Sequence, residues 1–240
     1  MKYIKFNILD DYSDIIKHGI TERGIDFMHV DYNSETFKNS KNTLAKEINV
    51  MERDLFFINQ VHDKNIKNVV DGSINNIEDY DGLITNSVGK VLCTCYADCV
   101  PLLFFDPNKR VVASIHSGWK GTIKLIAQET VIKMKNDYGS NTHDILVGIG
   151  PSIGPCCFEV SEDVYEQFRK KLPIGAFMDD GKYFVDLWNS NIYMLTQIGV
   201  KRENIECKGI CTSCHSDRFY SYRKGDKERG RFTAFIQLLS

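Results

Sequence analysis

Two nearly uninterrupted apolar runs stand side by side in the chain, KVLCTCYADCVPLLFFD from Lys90 to Asp106 and RVVASIH from Arg110 to His116. A half-exposed strand alternates apolar and polar residues, whereas a run without alternation needs cover on both faces. The intervening PNK carries the Pro and Asn of a tight turn, so an antiparallel hairpin buried on both sides is expected. Other elements must lie above and below it.

The rest of the chain mixes helical and strand patterns. The polar segment from Asp31 to Asn49 reads as a loop followed by a surface helix, with Leu44, Ile48 and Met51 at helical spacing. DLFFINQVH is expected to open a strand near Asp54, and DGLITN, 81 to 86, to be a turn entering a short strand. After SGWKG, residues Ile123, Ile126, Ala127, Thr130, Val131 and Met134 fall on one stripe of a helix of about four turns that ends at DYGS. DILVGIG is a strand, and PSIGPCCFEV a Gly/Pro-rich loop into the helix SEDVYEQFRKKL, which Ser161 is placed to cap. DLWNSNIYMLTQIG is a further helix with Leu187, Ile192, Leu195 and Ile198 inward, and FTAFIQLLS a terminal strand. With no repeat and no composition break, residues 1–240 read as one α/β domain.

Bulk properties exclude several classes. The 30 basic and 32 acidic residues nearly cancel, so bulk charge holds no nucleic acid. No stretch approaches the ~20 apolar residues of a membrane span. The start, MKYIKFNILDDYSD, lacks the charged and apolar regions of a signal peptide. A cytoplasmic protein with reduced thiols is expected, and its eight cysteines are then available for packing, metal or catalysis.

Three side chains of metal-ligand type sit at the ends of expected strands: His62, Cys99 and His116. Three protein ligands with an open fourth position is the catalytic zinc arrangement, whereas four ligands close a structural site. The spacing alone leaves the ordinary readings open. A Cys in an apolar run is usually a small core residue, and a His at a strand end a satisfied polar group. Asp98 adds to the case, because an unpaired carboxylate in an apolar segment costs several kcal/mol, on the order of a buried ion's penalty.

Six ordered blocks carry a resemblance: NQVHDKNI, DGLITN, YADCVPLLFFDP, ASIHSGWKGT, GIGPSIGPCCFEV and FYSYRKGDKERGR. From about residue 54 to 236 the chain resembles the YfiH/YlmD family, long described as polyphenol oxidases or laccases and now associated with purine nucleoside phosphorolysis and adenosine deamination. The resemblance implies a layered α/β/β/α fold with mixed, largely antiparallel sheets flanked by helices. It implies that His62, Cys99 and His116 hold zinc beside a nucleoside. Lys120 stands where the family commonly has Arg, which keeps the cation without its bidentate fork. At the N-terminal end only TERGID corresponds to a family motif, so Thr21 and Arg23 match weakly.

The chemistry implied is phosphorolysis of adenosine- or inosine-type nucleosides, methylthioadenosine included, with deamination of adenosine. Zinc brings the pKa of bound water to about 7, which suits attack at C6. Phosphate needs cations, for which Lys120, Arg223 and Arg23 are the candidates, with Arg231 after them. Asp98 is expected to orient a ligand histidine or to act as acid or base. Gln60 is expected to bond backbone near His62, and Trp119 to be core rather than a stacking platform. The partners are then purine nucleosides and phosphate, with neither nucleic acid nor membrane, for a monomer or homodimer.

Other readings compete. Cys99 with His116 as base makes a cysteine hydrolase, although His62 is then surplus. A laccase needs several coppers, and six histidines are few for that ligand set. A non-catalytic nucleoside-binding module is the third. Among the remaining cysteines, Cys93 and Cys95 share a core face by period two, and Cys156 and Cys157 are expected to pack. CTSCH at 211 to 215 holds a Cys-x-x-Cys, but no second one exists to close a four-ligand site. His18, His29 and His143 have no ligand partner in view.

Overall fold

The computed structural model describes residues 2–27, 34–225 and 230–239. Two six-stranded sheets pack face to face. The first runs Tyr3–Ile4, Ile16–Thr21, Phe232–Leu238, Val91–Tyr96, Leu55–Ile58 and Asn76–Ile77. The second runs Ile205–Cys207, Leu146–Ile149, Val100–Asp106, Val111–Ser117, Gly82–Thr85 and Ile66–Asn68. Pairing is antiparallel in the middle of both, and parallel at one edge of the first and both edges of the second. A small sheet of Glu159–Val160, Lys182–Val185 and Ala176–Asp179 stands apart.

The apolar runs are buried twice over because each strand has a layer on both sides. Leu103, Phe105 and Val112 meet Leu92, Tyr96 and Phe232 between the sheets. Leu102, Phe104 and Ala113 point the other way, onto helices Ile126–Tyr138 and Leu187–Gln197 through Val131, Met134 and Leu195. Cys93 and Cys95 face outward from the first sheet onto Phe37 and Leu44 of helix Glu35–Glu47, the core face that period two implies. The layering is therefore α/β/β/α, and burial of each large apolar side chain contributes roughly 1.5–3 kcal/mol.

Several local expectations change. Only the second half of the long run forms the hairpin, with register Val100↔Ser117 to Asp106↔Val111. The first half, Val91–Tyr96, lies in the other sheet, and the chain crosses between them at Asp98, whose φ is 84°. The helix after SGWKG is interrupted: Trp119–Ile123 and Ile126–Tyr138 are separated by Leu125 at φ 66°, which turns the second helix onto the sheet. Met51 lies beyond the surface helix and is exposed. Ser161 occupies the N-cap without a side-chain bond. Residues 31–33, His29 and the 226–229 stretch of the charged loop lie outside the described residues, as does 240. Among the described residues no helix is long and apolar enough to cross a membrane.

Candidate functional site

The sheet crossing creates the site. A non-glycine residue at positive φ costs roughly 1–2 kcal/mol, and three bonds hold Asp98 there. Its carboxylate accepts from Thr212 Oγ1 and from the Arg223 amide, both at 2.6 Å, and its carbonyl accepts from the Ile153 amide at 2.8 Å. Cys99 follows the corner directly. His116 is near the end of the neighbouring strand, opposite Pro101. His62 comes from the segment after Leu55–Ile58, with φ 60°.

The donor atoms of His62, Cys99 and His116 all lie within 4.8 Å of one another. Cys99 Sγ is 3.9 Å from His62 Nε2, close to the ~3.6 Å that a tetrahedral zinc imposes between a sulfur and a nitrogen ligand. The two imidazoles stand edge to face, 4.9 Å between centroids. Gly118 makes this convergence possible: a Cβ there would come 3.1 Å from both Cys99 Sγ and His62 Cδ2.

Asp81, fully buried, organises both histidines. Its Oδ1 bonds His116 Nδ1 at 2.8 Å, which leaves Nε2 for the cluster. The same carboxylate accepts the amides of Val61, His62 and Asp63 at 3.2, 2.9 and 2.6 Å, fixing the loop that carries His62. Burial pushes the Asp81 carboxyl up, but its bond to His116 and these amides outweigh that and keep it ionised. Burial likewise raises the Cys99 thiol, yet the His116 charge and hydrogen bonds from both histidines bring it down to about 6. For His116 burial opposes the charge, and the Cys99 thiolate and Asp81 raise it. Two imidazoles and a readily ionised thiol, one imidazole oriented by a carboxylate, form a donor set that fits a divalent ion such as zinc.

The cluster opens into a cleft of about 1650 Å³, more than the ~300–1,000 Å³ of a usual small-ligand pocket. Asp98, Trp119, Phe158, Tyr222, Arg223 and Arg231 are on its walls. Of the expected cations, Arg223 borders the cleft, its Nη1 bonded to the Glu159 carbonyl at 2.7 Å and its guanidinium over Phe158. Arg231 borders it too. Lys120 and Arg23 are not among its lining residues. The Lys120 ammonium lies 5.6 Å from the Trp119 ring centre, and the Arg23 guanidinium stacks over Tyr220 at 4.8 Å. Trp119 both packs on the core and reaches the cleft wall. Gln60 bonds backbone as expected, its amide paired with Cys95 N and O at 2.8 Å.

The carboxylate that orients a histidine is Asp81, not Asp98. Asp98 instead organises the corner and the Arg223 backbone. A signal was present in DGLITN, where an aspartate stands just before the apolar residues Leu83 and Ile84 and needs a buried partner, but the partner's identity is a tertiary fact.

Residues 24–239 match the family model described as multi-copper polyphenol oxidoreductase laccase. The chain is 37% identical over 163 residues to the purine nucleoside phosphorylase of Bacteroides thetaiotaomicron, covering 66% of this chain and 60% of that one. It is 34% identical over 223 residues to purine nucleoside phosphorylase YlmD of Bacillus subtilis, 87% of this chain and 80% of the relative. The fold matches the crystal structure of the hypothetical protein YfiH of Bacillus licheniformis with a TM-score of 0.88 and 29% identity, over 95% of this chain and 94% of the other.

Proposed function

The chain belongs to the multi-copper polyphenol oxidoreductase laccase family, and on that premise we propose that it is a zinc-dependent purine nucleoside phosphorylase that also deaminates adenosine. One observation carries the reading: His62, Cys99 and His116 converge on the floor of a wide cleft bordered by two arginines. The names of the curated relatives support its phosphorylase part. Two clustered histidines are few for a multi-copper set, and a thiolate with imidazoles suits zinc.

His62, Cys99 and His116 are the residues that would hold the ion. When bound it supplies Lewis acidity, which polarises a substrate atom or acidifies water. In phosphorolysis a phosphate oxygen bonds to C1′ while the C1′–N9 bond breaks, and the electron pair leaves with the purine, which takes up a proton. Arg223 and Arg231 bind the phosphate, each able to present a planar fork to two oxygens. Tyr222, largely exposed on the cleft wall, offers an aromatic face to the purine, while Phe158 backs the Arg223 guanidinium. Asp98 acts by position, holding the Arg223 main chain and the Cys99 corner. Deamination replaces the C6 amino group with oxygen from water and releases ammonia in the same cleft. Adenosine, inosine and methylthioadenosine are the substrates to compare.

The test is chromatography of products after incubation with adenosine, phosphate and zinc. Inosine, free purine and ribose 1-phosphate are expected from the wild type and none from His62→Ala, Cys99→Ala or His116→Ala. Absence of all three products from folded, zinc-loaded wild type overturns the reading.

A second reading has its own observation. Asp81, His116 and Cys99 form a carboxylate–imidazole–thiol chain, and the low Cys99 pKa favours a nucleophilic thiolate. Rapid alkylation of Cys99 that zinc does not slow, with turnover of an amide, would favour that cysteine hydrolase.

A further inference from the structure

The cysteines expected to pack, and the Cys-x-x-Cys that lacks a second copy, come together in space. The sulfurs of Cys156, Cys157, Cys211 and Cys214 all lie within 4.8 Å of one another. Cys214 Sγ is 3.6 Å from Cys156 Sγ and 3.5 Å from Cys157 Sγ. Four thiolates around one zinc at a bond length of ~2.3 Å stand about 3.8 Å apart. A disulfide joins one cysteine to one partner, whereas Cys214 is equally near two. The adjacent pair after the Gly/Pro loop thus supplies what a second Cys-x-x-Cys would have supplied.

The surroundings are those of a built site. The two segments are joined as a parallel bridge between Ser152 and Cys211, with Thr212 N–H bonding the Ser152 carbonyl at 3.0 Å. Gly154 N–H points at Cys211 Sγ, 3.2 Å away, as a donor to a thiolate does. A side chain at Gly154 would force a shift: its Cβ would lie 2.7 Å from Trp188 Cη2, and it would also crowd Cys211 Cβ at 3.1 Å and Cys156 Sγ at 3.3 Å. The His215 amide bonds the Cys211 carbonyl at 3.0 Å, closing the turn that presents Cys214.

We infer that Cys156, Cys157, Cys211 and Cys214 bind one zinc ion as a closed, structural four-thiolate site, separate from His62, Cys99 and His116. Its role is to tie two cleft-forming segments together. The first continues into Phe158 and Glu159 on the cleft wall. The second contains Thr212, whose hydroxyl holds Asp98 at the Cys99 corner. The inference does not depend on the nucleoside reading, because none of its ligands belongs to the triad.

The test is metal content and spectroscopy of protein prepared without a metal-affinity tag. Wild type should carry about two zinc ions per chain, and His116→Ala should keep about one, held by the four thiolates. Replacing zinc by cobalt(II) in His116→Ala should give the intense sulfur-to-metal absorption of a tetrahedral tetrathiolate. Cys214→Ser in the same background should abolish that absorption. If Cys214→Ser does not fold, the cobalt spectrum of His116→Ala alone decides. A His116→Ala protein without bound metal, one carrying iron in place of zinc, or fewer than the eight free thiols after denaturation in chelator each overturns the assignment.

Discussion

Asp81 Oδ1 lies 2.8 Å from His116 Nδ1, and the carboxylate that orients that imidazole also gathers the three amides of the His62 loop. One buried side chain therefore sets the position of two metal-type donors, one on the loop after Leu55–Ile58 and one on the strand Val111–Ser117. Partners of this kind are typically worth ~10–100-fold in metal affinity. Asp81→Asn keeps an acceptor for one of these donors and turns an N–H₂ toward the others. Zinc affinity, measured by competition with a chromophoric chelator, is expected to fall by that factor. An unchanged affinity would remove Asp81 from the site.

Gly118→Ala tests the closeness of the triad. The added Cβ would sit 3.1 Å from Cys99 Sγ and His62 Cδ2, so the donors must part to admit it. We expect zinc binding and turnover to fall at least about tenfold while the thermal midpoint moves by only a few degrees, on the order of a 1 kcal/mol perturbation. Full zinc binding in the variant would mean that the donors do not need this proximity.

The cleft arginines should separate from the off-cleft cations in kinetics. Arg223→Ala and Arg231→Ala are expected to raise the KM for phosphate by about tenfold or more, since a charge-assisted hydrogen bond is worth roughly 1.5–3 kcal/mol. Lys120→Ala and Arg23→Ala should change it by less than about threefold, as neither borders the cleft. The reverse ranking in steady-state assays with varied phosphate would assign phosphate to Lys120 and Arg23 and remove Arg223 and Arg231 from that role.

His18 predicts an acid-sensitive stability. It is buried between Phe6 and the sheet, and its Nε2 accepts the Phe6 amide at 2.9 Å. Burial lowers it from 6.5 to about 4, despite the opposing pull of Asp10. The unfolded chain then binds the extra proton between those values, so stability is full above about pH 6.5 and is lost progressively toward pH 4. The total is about 3 kcal/mol. Urea midpoints measured from pH 7 to pH 4 should fall less steeply in His18→Gln than in wild type, and parallel slopes would exclude His18 as the cause.

The sequence alone determined that the apolar runs 91–106 and 111–117 need cover on both faces, because unbroken apolarity is a local and additive property. It likewise marked the Ile123–Met134 stripe, the terminal strand, and the histidines and cysteine of metal-ligand type, since side-chain chemistry is written in the residue itself. Resemblance to a family joined those three into one site. Only the tertiary structure decided that the long run breaks at Asp98 to cross between sheets, because that corner is held by Thr212 and Arg223 from over a hundred positions away. Packing also assigned the orienting carboxylate to Asp81, set Arg223 and Arg231 on the cleft wall, and brought Cys156 and Cys157 to Cys211 and Cys214. Period and composition report what each segment prefers near itself; which distant donors share a few ångströms follows from how two sheets stack and where their loops meet.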